Sequence, residues 1–382
     1  MCISGVEYTI YKMKINRCLY ISELKSKVGD AGIILIGAGR VAQSIVDSLE
    51  LNFRFAVDNS LSKQGTELKG KCITVPVYDW QYLREHCNND DVLLITPVFA
   101  DDLLKQIGAD DTLCDKEVYL YSYIWSIQWD IDRIKASQVP FEITKGSMPI
   151  IPKTIHYFWF SGDPYPDKVK RCIDSWHKYC PDFEFRKWDL DSYQTDNQFC
   201  NEALSKGIWA FASDYGRCDV LYKYGGIYLD TDVEVVKSLD DLLYDGGFFC
   251  FESARGVDPG SGMGAVRGHS VFEEIRKKYE SIHFINEDGS ENRVNILDQY
   301  TSVLIGHGLV TNGEYQIIGD IAVYPPLVFS PYSYRTGIDS RYEKTYAVHH
   351  WVSAWRSVSQ KREIEEKKEF ISSKIKTFEN VL

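Results

Sequence analysis

The sequence predicts an α/β protein with two domains, and three observations lead to this prediction. The chain has 382 residues, which is enough for two domains. The stretches 32–98 and 151–235 each alternate short apolar runs of strand type with segments of helical periodicity. Residues 137–150 (SQVPFEITKGSMPI) lie between them and contain proline and glycine, so we place the domain boundary there. The predicted parts are a smaller domain at 1–145, a larger domain at 146–357 and an amphipathic helix at 358–382.

The composition narrows the class of protein. A hydrophobic content of 44% and a charged content of 26% are ordinary for a soluble globular protein. A net charge of -12 argues against nucleic acid as a partner. The ten cysteines have no paired metal-type spacing, which favours reduced thiols and a cytoplasmic protein. No apolar run reaches the roughly 18 residues of a membrane-spanning helix, and a peripheral position at the inner membrane face stays open.

The first domain begins with a buried strand that runs into a glycine turn, GIILIGAG at 32–39. Gly37 and Gly39 begin a G-x-G-x-x-[GA] pattern, and the next strand ends at Asp58, about 20 residues on, where a dinucleotide fold places its ribose-binding carboxylate. This predicts a Rossmann-like domain with an NAD(P) or other nucleotide site at these residues. A Rossmann-like scaffold without a cofactor is the alternative, because no Tyr-x-x-x-Lys pair follows.

The second domain begins with IPKTIHYFWFSG at 151–162, a strand that ends in a polar turn. Trp159 falls at the end of this strand, where ligands of open α/β sheets bind. Its indole face suits stacking on a nucleobase, although a tryptophan in a strand is also typical of a core. His156, inside the strand, is predicted to be a hydrogen-bonded core residue.

A helix is predicted over 208–224, because apolar side chains recur there every three or four residues. Asp214 and Arg217 lie one turn apart on a shared face and form either a surface ion pair or part of a site. Gly225 ends the helix. A continuous strand over 226–235 then places Asp230 and Asp232 on one face, with Cα atoms about 6.5 to 7 Å apart. Two carboxylates so placed suit a divalent cation, although two solvated carboxylates at a strand end would give the same pattern.

Read together, SDYGRCDVLYKYGGIYLDTD (213–232) and the opening IPKTIHYFW (151–159) resemble the nucleotide-sugar motifs of glycosyltransferase family 32. That family includes capsular-polysaccharide transferases and yeast-type mannosyltransferases, and its sugar site is related to that of the large clostridial glucosylating toxins. The resemblance implies a glycosyltransferase A-type fold and a retaining, metal-dependent sugar transfer. The donor would be a nucleotide-diphosphate sugar, UDP- or GDP-linked with UDP favoured, and the acceptor a glycan or lipid-linked glycan in capsule or other surface-polysaccharide synthesis.

The resemblance also implies roles for individual residues. Asp214 and Arg217 would hold sugar hydroxyls, Asp230 would bridge ribose and sugar, and Asp232 would bind Mn²⁺ or Mg²⁺. The later stretch YAVHHWVSAWR (346–356) resembles the segment that closes over the donor diphosphate. By position, His350 would lie beside the metal as a second candidate ligand after Asp232, Ser353 would donate to a phosphate and Trp355 would reach the leaving oxygen. The toxins have a carboxylate at the position of His350, so this chain departs from their pattern there.

Two further segments carry expectations. The glycine-rich stretch 254–269 is predicted to be a lid or an acceptor-side loop. The helix at 358–382 has Ile364, Ile371, Ile375 and Phe378 on one stripe and is predicted to pack on the protein or to form a homo-oligomer. Two other functions stay open, an NAD(P)-dependent oxidoreductase that uses the first domain and a non-catalytic binding protein.

Overall fold

The computed structural model describes residues 13–352 and 357–375, which form two compact units. The first unit takes in the chain up to Gln128 together with the helix near the C-terminus, and the second begins at Trp129. Each unit combines helices with a sheet, largely parallel in the first unit and mixed in the second, so the predicted α/β class is confirmed. The division falls earlier than the predicted boundary, and the stretch 137–150 lies in the second unit.

The first unit contains a seven-stranded sheet in the order β1-β7-β6-β2-β3-β5-β4, which is parallel except where β4 runs against β5. Its strands are β1 (Lys14–Asn16), β2 (Ile33–Ile36), β3 (Phe53–Val57), β4 (Glu67–Lys69), β5 (Thr74–Tyr78), β6 (Val92–Ile95) and β7 (Glu117–Leu120). Its helices are α1 (Ile21–Val28), α2 (Arg40–Ser48), α3 (Trp80–His86) and α4 (Asp101–Gly108), and α5 (Tyr121–Gln138) continues past the division. Every residue of the central strand β2 is buried, as expected for a parallel strand with both faces covered.

The second unit is built on a mixed sheet in the order β15-β16-β12-β14-β10-β8-β9, with β13 added beside β12. Its strands are β8 (Thr154–Phe158), β9 (Glu184–Trp188), β10 (Gly226–Tyr228), β11 (Val233–Val235), β12 (Gly247–Ser253), β13 (Gly256–Val257), β14 (Met263–Ala265), β15 (Gln316–Ile318), β16 (Ile321–Tyr324) and β17 (Ala347–His349). Its helices are α6 (Asp167–Tyr179), α7 (Gln198–Ser205), α8 (Trp209–Tyr224), α9 (Ser270–Glu280) and α10 (Ile296–Gly306). The predicted order of strand, helix and strand from β8 to β10 is therefore observed.

Helix α8 confirms the prediction for 208–224, and its middle is buried. Gly216 is unfavourable inside a helix, but a Cβ at this position would lie 2.6 Å from the ring of Phe158 on β8. The glycine therefore permits close packing of the helix on the sheet. Gly225 ends the helix with a φ of 70°, a conformation that glycine adopts readily.

His156 is the hydrogen-bonded core residue that the sequence predicts. Its Nε2 lies 2.9 Å from the carbonyl oxygen of Gly225, and its Nδ1 accepts the indole N–H of Trp188 at 3.1 Å. Burial lowers the pKa of His156 to about 4, so the ring is neutral at neutral pH. These bonds fix β8 against the end of α8.

The prediction of one continuous strand over 226–235 is wrong. Strand β10 ends at Tyr228, and the chain then turns, with the N–H of Val233 donating to the carbonyl of Asp230 at 3.0 Å. Strand β11 follows in a separate sheet, where it pairs antiparallel with β17. The turn places Asp230 and Asp232 beyond the carboxyl end of β10.

The glycine-rich stretch 254–269 is predicted to be a lid or an acceptor-side loop. Its middle is not an exposed lid, and a role on the acceptor side stays a prediction. Residues 256–265 are all buried, and they form β13, a turn at 258–262, and β14. Strand β14 lies between β10 and β12 in the sheet. The glycines therefore allow close packing beneath the turn that carries Asp230.

Helix α11 (Val358–Lys374) belongs to the first unit. Ile371 and Ile375 are buried there, and the Glu363 carboxylate accepts the N–H of Ala100 at 2.8 Å. This agrees with the predicted packed helix, while Phe378 lies outside the described residues and the homo-oligomer stays a prediction. None of the helices in the described ranges is long and apolar enough to cross a membrane. The nine cysteines in those ranges are all free.

Candidate active site

Arg217 lies between two carboxylates and is the centre of the candidate site. Its Nη2 is 3.2 Å from Asp214 Oδ1 and 3.3 Å from Asp230 Oδ1. The guanidinium also donates to the backbone oxygen of Ser213 at 3.1 Å and to its hydroxyl at 3.2 Å. Only 5% of the Arg217 side chain is exposed, so the surface ion pair that the spacing left open is excluded. The structure thus joins the helix α8 residues to the turn after β10.

The charges in this group depend on one another. Burial raises the pKa of Asp214 to about 7, although the positive charge of Arg217 opposes the shift. Burial likewise raises the pKa of Asp230, against Arg217 and together with the neighbouring charge of Asp232. The hydroxyl of Tyr228 donates to Asp230 Oδ1 at 2.7 Å, which gives this carboxylate a second partner. Arg217 is therefore the cation that opposes the effect of burial on the pKa of both carboxyl groups.

Asp230, Asp232 and His349 form a group that is able to hold a metal ion. Each offers one ligand atom, and these atoms lie within 4.8 Å of one another. Carboxylate oxygens suit Mg²⁺ and Mn²⁺, and an imidazole nitrogen suits transition metals. The donor set therefore fits a divalent cation that leaves positions open for phosphate oxygens.

Asp232 is held in place by two donors. Its Oδ2 accepts the N–H of Val352 at 2.7 Å, and its Oδ1 lies 3.3 Å from His349 Nε2. Burial alone would raise the pKa of Asp232, but His349 and the Val352 N–H outweigh it and hold the pKa at about 2. The carboxylate is therefore ionised at neutral pH, as a metal ligand must be.

His349 sits between two carboxylates. Its Nε2 faces Asp232, and its Nδ1 is 3.0 Å from Asp258 Oδ2. The ring also stacks on Trp351, with centroids 3.9 Å apart and an interplanar angle of 21°. Burial disfavours a charged imidazole, but Asp232 and Asp258 outweigh it and raise the pKa of His349 well above its ordinary value. A cation at Nε2 would replace a proton there.

The structure places His349, and not the predicted His350, beside the carboxylates. Side chains alternate along a strand, and β17 ends at His349 with this side chain directed to the site. The His350 ring lies 2.9 Å from Glu234 Oε2, and only its backbone N–H contacts Asp232, at the carbonyl oxygen. His350 is thus corrected from a metal ligand to a partner of Glu234.

The other predicted donor-binding residues have mixed outcomes. Trp159 follows the end of β8, as predicted, and is half-buried. Its indole N–H donates to the carbonyl of Asp163 at 2.7 Å, and its ring meets Tyr165 edge to face. Stacking of Trp159 on a base stays a prediction. Ser353 and Trp355 lie outside the described residues.

The first unit brings its three predicted residues together. Gly37 and Gly39 flank the turn after β2, and Asp58, just after β3, accepts the N–H of Ala38 at 2.8 Å. The same carboxylate also binds the N–H of Ser60 and the ammonium of Lys63, at 2.9 and 3.0 Å. An incoming ribose would have to share this carboxylate, and NAD(P) binding stays a prediction.

Gly260 provides the space that Asp230 occupies, and its substitution is a direct test of the site. A Cβ at Gly260 would lie 2.3 Å from Asp230 Oδ2 and 3.1 Å from Arg217 Nη1, so Gly260→Ala must displace the carboxylate. We expect turnover of the nucleotide-sugar donor that the resemblance implies to fall about 100-fold, as for a 1 Å misplacement of a catalytic group. Gly306→Ala is the matched control, because no heavy atom lies within 4 Å of its Cβ position. Equal turnover in the two variants, measured with thermal unfolding as a check on folding, would contradict this placement of Asp230.

Sequence reasoning missed His349, Asp258 and Gly260. The alternation of side chains in YAVHH was the available signal for His349, but using it requires the pairing of β17 with β11. Asp258 contacts His349 across 91 positions of the chain, and no local pattern announces that contact. The sequence marked only the glycine-rich character of the segment that carries Asp258 and Gly260.

Comparison with known proteins agrees with this geometry. Residues 166–248 match the family described as "Glycosyltransferase sugar-binding region containing DXD motif". Inositol phosphoceramide mannosyltransferase 3 of Schizosaccharomyces pombe is 33% identical over 171 residues, which are 41% of this chain and 46% of that protein. The uncharacterized glycosyltransferase L373 of Acanthamoeba polyphaga mimivirus is 29% identical over 156 residues, 38% of this chain and 61% of that protein.

The chain thus spans about half the length of the first of these relatives. Among solved structures, the PaToxG glycosyltransferase aligns with a TM-score of 0.35 and 18% identity, over 48% of this chain and 75% of that one. The matched residues 166–248 include the Asp230/Asp232 turn, Asp214 and Arg217. The predicted resemblance to DXD-containing glycosyltransferases is confirmed.

Proposed function

We propose that this chain, whose residues 166–248 match the DXD-containing sugar-binding region of glycosyltransferases, transfers a sugar from a nucleotide-diphosphate donor to a glycan acceptor and requires a divalent metal ion. The observation that carries the proposal is the convergence of Arg217 with Asp230 and its metal-type neighbours. Buried carboxylates are costly unless they are paired or coordinate a cation. Here Arg217 pairs with Asp230 on one side. On the other side, Asp230 lies with Asp232 and His349 in the group that is able to hold a metal ion.

Each side chain has a distinct task in this scheme. Asp232, Asp230 and His349 would hold Mn²⁺ or Mg²⁺, which as a Lewis acid supplies stabilisation for the departing diphosphate. Arg217 and Asp214 would orient sugar hydroxyls through charge-assisted hydrogen bonds. The resulting orientation holds the anomeric carbon toward the acceptor. The low exposure of the pair excludes water that would compete for these bonds.

The bond changes follow from a front-face attack, which would account for the retention that the resemblance implies. The bond between the anomeric carbon and the diphosphate oxygen breaks. The acceptor hydroxyl oxygen then bonds to the same face of that carbon. The hydroxyl proton passes to the leaving phosphate oxygen, so no separate protein base is needed.

The donor and acceptor are proposed at the level of chemical class. A UDP-hexose is the favoured donor, and GDP-linked donors belong in the same test. Mannose belongs there too, because the Schizosaccharomyces pombe relatives are named mannosyltransferases. The acceptor would be a glycan or lipid-linked glycan used for capsule or other surface polysaccharide, at the cytoplasmic face of the membrane.

The proposal is tested by the release of nucleotide diphosphate from a panel of UDP- and GDP-sugars that includes glucose, galactose, N-acetylhexosamines and mannose. We expect one donor to be hydrolysed slowly with Mn²⁺, the activity to stop with a chelator and to return when the metal is restored. The matched arm uses the same donors with Mg²⁺ and with Ca²⁺, which accepts longer and more flexible coordination. If the folded protein released no nucleotide diphosphate from any donor in the panel and bound NAD(H), the result would contradict the proposal and favour the oxidoreductase alternative.

A further inference from the structure

We propose that Asp258 is a positioning residue that orients His349 for binding a metal ion through Nε2. The proposal rests on the proposed metal dependence and adds a residue that belongs to neither the D-x-D pair nor the metal-type group. Asp258 Oδ2 lies 3.0 Å from His349 Nδ1, and both side chains are 6% exposed. A metal-binding imidazole characteristically donates its other ring N–H to a carboxylate or a carbonyl.

The contacts assign the two ring nitrogens. An N–H at Nδ1 donates to Asp258, and Nε2 faces Asp232, 3.3 Å away, where a cation would replace its proton. Stacking on Trp351 limits rotation of the ring about its own axis. The imidazole is therefore held in one orientation with the nitrogen that faces Asp230 and Asp232 available to a cation.

Asp258 is itself fixed on three sides. Its Oδ1 accepts the N–H of Gly260 at 2.9 Å, its carbonyl accepts the hydroxyl of Ser261 at 3.0 Å, and its N–H donates to the carbonyl of Cys250 at 2.8 Å. Both carboxylate oxygens are thus used, one for its own turn and one for His349. Because these bonds fix the carboxylate in place, the hydrogen bond from Nδ1 also fixes the His349 ring.

The same turn contacts the opposite side of the metal-type group. The carbonyl oxygen of Gly260 accepts the N–H of Asp230 at 3.0 Å. Residues 258–260 therefore contact His349 through a side chain and Asp230 through the backbone. These two residues come from different strands, His349 from the end of β17 and Asp230 from the turn after β10. This gives the buried glycine-rich turn a function in place of the lid that the sequence predicted.

The substitution Asp258→Asn separates a role in orienting His349 from a role in filling space. An amide has the size of a carboxylate but offers one oxygen and one NH₂ group. If the oxygen keeps the N–H of Gly260, the NH₂ group faces His349 Nδ1 and favours the tautomer with hydrogen on Nε2. That tautomer has no lone pair at Nε2, the nitrogen that faces the metal-type group.

The experiment measures Mn²⁺ binding to the full-length protein at fixed pH, by electron paramagnetic resonance of free Mn²⁺ and by calorimetry, without any nucleotide sugar. We expect Asp258→Asn to bind Mn²⁺ about 10- to 100-fold more weakly than the wild type, the usual range for residues behind a metal ligand. His349→Ala sets the lower limit. Asp320→Asn is the matched control, because Asp320 Oδ1 pairs with His269 Nε2 at 3.2 Å without touching the metal-type group. Thermal unfolding without metal checks that each variant folds.

The possible results separate this proposal from the proposed function. Mn²⁺ affinity of Asp258→Asn equal to the wild type would overturn the positioning role, even if sugar transfer is found. A wild type that binds no Mn²⁺ would overturn it as well. Weakened Mn²⁺ binding in Asp258→Asn, with no nucleotide sugar turned over by any form, would support the role of Asp258 and count against the transferase.

Discussion

Replacing Arg217 with methionine should lower sugar-donor turnover by about 100- to 1,000-fold, the cost of removing one preorganised electrostatic group from an active site. The same change should lower the free energy of unfolding by about 3 kcal/mol, because it leaves the buried Asp214 and the partly buried Asp230 without their cation. Asp214 and Asp230 both lose their partner at once, at 3.2 and 3.3 Å from the guanidinium. The measurements are nucleotide diphosphate release and denaturant unfolding.

Two further variants keep this prediction testable if Arg217→Met does not fold. Arg217→Lys keeps the charge but not the planar fork, so it should recover stability while leaving turnover low. Arg276→Met removes another cation from an aspartate of α8, Asp219, at 2.8 Å from Nε. Asp219 keeps Lys223 and Tyr193 as partners, so this control should remain active. Full turnover in Arg217→Lys would show that position 217 supplies charge alone and not orientation.

The parts of the fold that could be predicted are those set by local chemistry. The periodicity of 208–224 defines α8, and Gly225 ends it because the chain needs a positive φ there. The apolar runs of β2 and β8 likewise identify strands before any partner is known. The break after Tyr228 could not be predicted, because apolar and polar residues keep alternating through Val235. Pairing of β11 with β17 ends the strand, and that pairing depends on residues more than a hundred positions away.

The candidate site shows the same division. Asp214, Arg217, Asp230 and Asp232 lie within 20 residues, so a helix, a glycine turn and the next few residues bring them together. To predict His349, the register of β17 against β11 must be known, since moving the pairing by one residue would place His350 at the carboxylates instead. Asp258 could be predicted as a site residue only if the glycine-rich stretch around it were known to be buried. Glycine has no side chain, so the sequence does not distinguish a mobile loop from a tightly packed turn.

Asp232→Asn should remove metal-dependent turnover while leaving the fold intact. A bound metal contributes several kcal/mol to stabilising a leaving diphosphate, so its loss corresponds to about a 1,000-fold fall in rate. The amide matches the carboxylate in size, and its oxygen can still accept the N–H of Val352, which donates to Asp232 Oδ2 at 2.7 Å. We therefore expect thermal unfolding without metal to change little. Rates of nucleotide diphosphate release against Mn²⁺ concentration provide the measurement.

Glu234→Gln is the matched control. Like Asp232→Asn, it replaces a carboxylate by the amide of the same size, and Glu234 is the next carboxylate along the chain. Glu234 pairs with His350 at 2.9 Å and lies outside the metal-type group, so its variant should keep the Mn²⁺ dependence of the wild type. The two variants also separate the neighbouring histidines, since Asp232 faces His349 and Glu234 faces His350. If Glu234→Gln lost Mn²⁺ activation and Asp232→Asn kept it, the metal would lie with Glu234 and His350 and not with Asp232 and His349. Loss confined to Asp232→Asn would place the metal with His349, on the side where Asp258 and the buried glycine turn hold the ring.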